Sequence, residues 1–230
     1  MPRLLLFDID GTLIDSHGAG GSAILDAAEE HFGIRRQDLP ELHLAGSTDA
    51  AIAMDVFDMV KKPHTRDEVF AFLDRYLLNL KRRLGAEDFK GITLPGVVAL
   101  LENLRQQTDV HLGLLTGNVR QGAEIKLDRH GIFHHFVDGG FGCDHHDRNE
   151  LGPVALQRMQ DATGMTFDVS DVIVIGDTPK DIRCAEAFGA RCLAVATGQY
   201  SVAELTALNP WRCLESFADV TATADLLTHG

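Results

Sequence analysis

Apolar residues gather along the chain in two patterns. Short continuous runs at Arg3 to Ile9, Val110 to Leu115, Val172 to Ile175 and Cys192 to Val195 have the length and composition of buried strands. Stretches with helical spacing lie between them, at Val97 to Gln107, Val119 to His130, Val154 to Ala162 and Asp181 to Phe188. Strand alternating with helix predicts an α/β fold with a parallel sheet. The interval from Ser16 to Phe89 breaks that rhythm. Ala23 to Phe32, Ala50 to Val60 and Val69 to Leu84 carry helical spacing with no strand between them, which reads as a helical insertion. Its boundaries are the helix-breaking stretches His17-Gly18-Ala19-Gly20-Gly21 and Gly91-Ile92-Thr93-Leu94-Pro95-Gly96. The expected partition is a core of residues 1–15 and 90–230 with an inserted helical domain of residues 16–89. The chain carries no internal repeat and no low-complexity tract.

Three of the predicted strands end in polar or glycine-containing motifs: Asp8-Ile9-Asp10-Gly11, Thr116-Gly117-Asn118 and Gly176-Asp177-Thr178. In an open parallel sheet the carboxyl ends of the strands share one edge, so these distant motifs can meet in one crevice. Asp8 and Asp10 are two apart and leave the same face while the chain stays extended, after which Gly11 permits a sharp turn. Two neighbouring carboxylates at a buried strand end repel unless a cation or a proton sits between them.

Composition narrows the chemistry. The 230 residues hold 34 acidic and 21 basic side chains, a formal charge of −13. Such a surface repels nucleic-acid backbones and anionic lipid, and no basic patch offsets it, so small molecules are the expected partners. No apolar run approaches the roughly 20 residues that span a bilayer, and the amino terminus lacks a signal-peptide pattern, which leads to the expectation of a cytoplasmic protein. Cys143, Cys184, Cys192 and Cys213 form no CxxC pair and read as reduced thiols. His134, His135, Cys143, Asp144, His145, His146 and Asp147 lack structural-zinc spacing and read as solvent-facing loops near the site entrance. Gly18-Ala19-Gly20-Gly21 lacks the last glycine of a dinucleotide fingerprint, and no Walker A sequence is present.

Taken in order, Asp8-Ile9-Asp10-Gly11-Thr12-Leu13, Thr116 after a strand, and Gly176-Asp177-Thr178-Pro179-Lys180-Asp181 resemble the haloacid dehalogenase-like (HAD) superfamily. The resemblance covers nearly the whole chain and implies a Rossmannoid parallel-sheet core with an inserted helical C1 cap. It implies Asp8 as a nucleophile giving an aspartyl-phosphate, and Asp10 as the acid that protonates the leaving alkoxide and then the base that activates water. It implies Mg²⁺ held by the Asp8 carboxylate, the Asp10 carbonyl and the Asp177 carboxylate, with Asp181 orienting metal-bound water. Asp181 also suits a helix cap or first turn. Thr116 with the amides of Gly117 and Asn118 would bind the transferring phosphoryl group at a helix start.

The family's Lys-Pro third motif is replaced here by Asp147-Arg148-Asn149-Glu150-Leu151-Gly152-Pro153, making Arg148 the expected charge-offsetting cation; the rivals Lys126 and Lys180 read as helix surface charges. Gly46 and Ser47, in the loop Leu44-Ala45-Gly46-Ser47-Thr48-Asp49, are the expected cap contacts to substrate, and the same loop suits an N-cap for the following helix. The second aspartate of the first motif implies phosphoryl transfer rather than dehalogenation. The expected activity is a Mg²⁺-dependent phosphatase on a small phosphorylated metabolite, of a phosphoglycolate phosphatase-like kind, working as a monomer or homodimer. A β-phosphoglucomutase-like phosphotransferase and a catalytically idle HAD-like binding module are the alternatives.

Overall fold

The computed structural model describes residues 2–39, 42 and 44–230; Met1, Pro40, Glu41 and His43, which fall within the two expected segments, lie outside the described residues. The chain begins with strand β1 (Arg3–Phe7) and a short strand β2 (Ile14–Asp15). Three helices follow: α1 (Ala19–Phe32), α2 (Asp49–Met59) and α3 (Arg66–Leu84). Strand β3 (Ile92–Thr93) closes the insertion by pairing antiparallel with β2. The remainder alternates as α4 (Val97–Arg105), β4 (Val110–Thr116), α5 (Arg120–Arg129), β5 (Gly139–Phe141), α6 (Leu151–Thr163), β6 (Val172–Gly176), α7 (Pro179–Ala187), β7 (Arg191–Val195), α8 (Val202–Thr206), β8 (Arg212–Leu214) and α9 (Val220–His229).

The main sheet has six parallel strands in the order β5-β4-β1-β6-β7-β8. Alternation along each strand divides the core between two layers. Leu5 and Phe7 of β1 join Leu112, Leu114, Ile173 and Ile175 on one face, beneath α4, α5 and α9. Leu4 and Leu6 join Leu115, Val172 and Val174 on the other, beneath α6, α7 and α8. Because both faces are covered, β1 reads as an unbroken apolar run rather than an alternating one.

Helices α1, α2 and α3 bury a third apolar cluster of their own. Ala23, Ala27 and Ala28 on α1 let α3 approach closely with Phe72, Tyr76 and Leu80. Arg83 of α3 clasps Asp26 of α1 through two hydrogen bonds, Nε to Oδ2 at 2.7 Å and Nη2 to Oδ1 at 2.8 Å. Val119, at the foot of α5, belongs to this cluster although it lies outside the insertion.

The sequence reading differs from the structure mainly at element ends. The first strand stops at Phe7, two residues short of expectation, because Asp8 to Gly11 turn away to form the strand-end loop. Helix α6 starts three residues early, at Leu151, and α7 two residues early, at Pro179. Strand β5 went unrecognised because it is three residues, Gly-Gly-Phe, in which the first glycine lies against the β4 backbone. Strand β8 and helices α8 and α9 were likewise absent from the sequence reading.

Gly96 caps α4 at φ +84°, and a Cβ on it would overlap the Phe217 carbonyl. Gly96→Ala combines left-handed strain with a backbone clash and is expected to destabilise the fold by about 2 kcal/mol or more, read as a drop in urea midpoint with unchanged slope.

Candidate active site

Strand register brings the three motifs together. Phe7 of β1 stands opposite Leu114 of β4 on one side and Ile175 of β6 on the other. Asp8 is therefore one residue past the paired positions, and Thr116 and Asp177 lie at the same edge. The switch in strand order falls here, where β4 and β6 flank β1 and the chain leaves in opposite directions across the sheet. A cavity of about 500 Å³ opens at this edge; Asp8, Asp10, Gly117, Asn118, Arg148 and Asp177 line its core side.

Asp8, Asp177 and Asp181 are all buried, with one ligand oxygen of each lying within 4.8 Å of the others. Arg148 is the cation among them. Its Nη2 lies 3.2 Å from Asp8 Oδ2 and donates to Asp181 Oδ1 and to the Leu115 carbonyl at 3.2 Å. The guanidinium is 5% exposed. Burial pushes Asp8 up to about 6, aided by Asp181 and opposed by Arg148. Burial also holds Asp177 well above the ordinary carboxylate value, with Asp181 and Asp8 adding to it and a hydrogen bond from Thr12 Oγ1 at 3.1 Å opposing it. Three carboxylates facing one guanidinium leave an excess of buried negative charge, and an all-oxygen donor set of this kind suits a divalent cation.

Asp181 performs the helix-cap role as well. Its Oδ2 accepts from the Thr178 amide at 2.9 Å and the Thr178 hydroxyl at 2.7 Å, closing a capping box at the start of α7. Both of its oxygens therefore have donors. Around Asp177 the backbone is bare of side chains: a Cβ on Gly11 or Gly198 would overlap its carboxylate.

Asp10 projects from the strand-end loop and is fixed at both oxygens. Ser16 Oγ donates to Oδ1 at 3.0 Å; Asn118 Nδ2 at 2.9 Å and Lys126 Nζ at 2.5 Å both donate to Oδ2. Desolvation alone would raise its pKa, but Lys126, Asn118 and Ser16 outweigh it and hold the carboxyl below the ordinary value. Lys126 is thus not a helix surface charge, as expected from sequence: it is 3% exposed and lies on the buried face of α5. Lys180 is half-buried, with Nζ 2.6 Å from Ser47 Oγ.

Thr116 is fully buried, and its hydroxyl accepts from the amide and side chain of Asn118 at 3.3 and 2.9 Å. Gly46 and Ser47 line the cavity. Their loop docks on the core through the Gly46 carbonyl to Arg148 at 3.3 Å and the Thr48 hydroxyl to the His146 carbonyl at 2.6 Å. Thr48 also caps α2, accepting from the Ala51 amide. Gly117 carries no side chain where that loop crosses it; a Cβ would overlap the Ser47 carbonyl.

The histidine-rich segment takes no part in a cluster of three or more metal-ligating groups among the described residues. His135 is buried beside His134, against the expectation of a solvent-facing loop, because Phe133 to His135 form a turn folded under α4 and α5. None of these histidines lines the cavity.

Sequence reasoning missed Asp49, Tyr76, Thr12, Ser16 and Gly198. Asp49 opens α2, is 7% exposed, and accepts from the Val119 amide at 2.9 Å while Tyr76 hydrogen-bonds it. Burial pushes its carboxyl up to about 6 from 3.8, with Lys126 opposing. The folded protein holds this proton more tightly than the unfolded chain, so the associated stability is complete below the unfolded value and is lost as pH rises through 6. Metal-free protein should therefore lose on the order of 2–3 kcal/mol relative to its Asp49→Asn variant between about pH 4 and pH 7, measured by denaturant titration at each pH.

A model of the family described as "Hydrolase: haloacid dehalogenase-like hydrolase" matches residues 2–189. The protein named Phosphoglycolate phosphatase from Pseudomonas putida is 29% identical over 214 residues, 86% of this chain and 71% of that one. Probable phosphatase IndB from Dickeya dadantii is 25% identical over 233 residues, 99% of this chain and 95% of that one. The crystal structure of a hydrolase from Pseudomonas syringae shares the fold with a TM-score of 0.72 at 20% identity, covering 98% of this chain and 99% of that one.

Proposed function

The chain belongs to the haloacid dehalogenase-like hydrolases, and on that premise we propose that it is a Mg²⁺-dependent phosphatase working through an aspartyl-phosphate on Asp8. The observation that carries this reading is the placement of Asp8: a buried carboxylate at the sheet edge, paired with Arg148, beside two further buried acids, with Asp10 two residues on and lining the same cavity. The curated relatives named phosphoglycolate phosphatase support a small phosphorylated acid as substrate class. Residues 16–89 serve as the cap that covers the reacting groups, with Gly46 and Ser47 facing the substrate.

Asp8 attacks phosphorus, and the covalent phosphoryl group is then hydrolysed, so that one difficult displacement becomes two easier ones. Asp10 protonates the departing oxygen and later takes a proton from water. Thr116 and the amides of Gly117 and Asn118, ahead of α5, hold the phosphoryl oxygens where the helix dipole favours an anion. Arg148 keeps Asp8 and Asp181 from repelling one another and offsets incoming phosphate charge. Mg²⁺ held by Asp8, Asp177 and the Asp10 carbonyl, with Asp181 beside it, would supply the charge that lets carboxylate and phosphate approach.

Inorganic phosphate release from p-nitrophenyl phosphate and a panel of small phosphate esters tests the reading. Release that needs Mg²⁺, stops with EDTA and vanishes in Asp8→Asn is the expected result; no release from folded wild type on any ester overturns it. In the same assay Arg148→Ala is expected to lose at least tenfold in turnover, about 1.4 kcal/mol of barrier.

A further inference from the structure

Lys126 is a charged side chain in a place that burial disfavours, and its partners show what it does there. It stands on the apolar face of α5 with Gly122, Ala123 and Leu127, and its ammonium reaches the cavity floor. Nζ donates to Asp10 Oδ2 at 2.5 Å and to Asn118 Oδ1 at 2.7 Å, while Asn118 Nδ2 donates to the same Asp10 oxygen. The three side chains close a triangle. Helix α1 backs it: Gly20 passes so near that a Cβ there would lie 3.2 Å from Nζ.

A carboxylate oxygen has two lone pairs. Lys126 and Asn118 occupy both on Oδ2, whereas Oδ1 receives one hydrogen bond, from Ser16. We propose that Lys126 is a positioning residue for Asp10: by saturating Oδ2 together with Asn118, it fixes the carboxyl rotamer and makes Oδ1 the oxygen that exchanges protons with substrate and water. This rests on the phosphatase reading above.

In the first half-reaction the proton on Oδ1 passes to the bridging oxygen as the bond from that oxygen to phosphorus breaks and an Asp8 oxygen bonds phosphorus. In the second, water gives a proton to Oδ1 as its oxygen bonds phosphorus and the bond to Asp8 breaks. A carboxyl already held in the productive rotamer needs no reorganisation at either step.

The leaving group distinguishes this role from a structural one. An alkoxide must be protonated as it departs, whereas p-nitrophenolate leaves as a stable anion and gains little from an acid. Because kcat/KM covers only the steps through leaving-group departure, it isolates the first half-reaction. The experiment measures kcat/KM with Mg²⁺ for wild type and Lys126→Met on p-nitrophenyl phosphate and on the alkyl phosphate that wild type hydrolyses best. The expected result is a loss of about thirtyfold or more on the alkyl ester with a loss of about threefold or less on the aryl ester. Equal losses on both esters, or no loss on either, overturn the proposal while leaving the phosphatase reading intact. Wild type inactive on every ester overturns both. If Lys126→Met lacks the wild-type circular dichroism spectrum and melting transition, Lys126→Gln takes its place and the same ratio of losses decides.

Discussion

Three carboxylates, Asp8, Asp177 and Asp181, share one buried edge of the sheet, and the rest of the site is arranged around the repulsion between them. Water cannot screen them there, so neighbouring groups must. Arg148 supplies one positive charge and, with Thr178, gives both oxygens of Asp181 a hydrogen-bond donor. Burial first, and the neighbouring carboxylates after it, raise the pKa values of Asp8 and Asp177. The same crowding of buried carboxylates that favours a proton on them would favour a hard cation, because either one relieves it.

A second ionic arrangement stands a few residues away with the opposite balance. Asp10 meets Lys126 and two neutral donors, which hold its carboxyl below the ordinary value, while burial pushes the Asp49 carboxyl up against the opposing charge of Lys126. Two acids from one motif, Asp8 and Asp10, are thereby driven in opposite directions by their surroundings. Such divergence is the usual way a fold assigns different tasks to like groups. It also shows why the helical insertion matters to the chemistry. Gly20, Asp49 and Tyr76 all come from it, and they form the wall against which the Lys126 ammonium rests.

Much of this was legible in the sequence because strand ends announce themselves: an apolar run that stops at Asp, Thr or Gly places that residue at the sheet edge. Asp8, Thr116 and Asp177 were readable in that way, and parallel topology brought them together. Lys126 was misread although a signal existed. Positions 119, 122, 123, 126 and 127 follow the i, i+3, i+4, i+7, i+8 spacing of a buried helix face, and a lysine in that series is out of place on any surface reading. Asp49 left no such trace. An aspartate opening a helix is ordinary, and only the crossing of its loop over Gly117 buries it. Gly198 was illegible for a similar reason, since helix α7 and strand β7 separate it from Asp177 in the chain. Long-range approaches of bare backbone have no local pattern to betray them.

Val119 ties the two halves of the molecule in a way that hydrogen bonds do not. Its side chain belongs to the apolar cluster of the insertion while its backbone opens α5 in the core, and it is 5% exposed. Any swing of the helices away from the sheet wets this residue, an exposure worth about 1.5–3 kcal/mol for a fully buried valine. Hydrating an apolar surface raises heat capacity and weakens as a penalty on cooling. The hold of the helical lobe on the sheet is therefore partly entropic in origin, and chilling loosens it at the residue that follows the Thr116-Gly117-Asn118 turn.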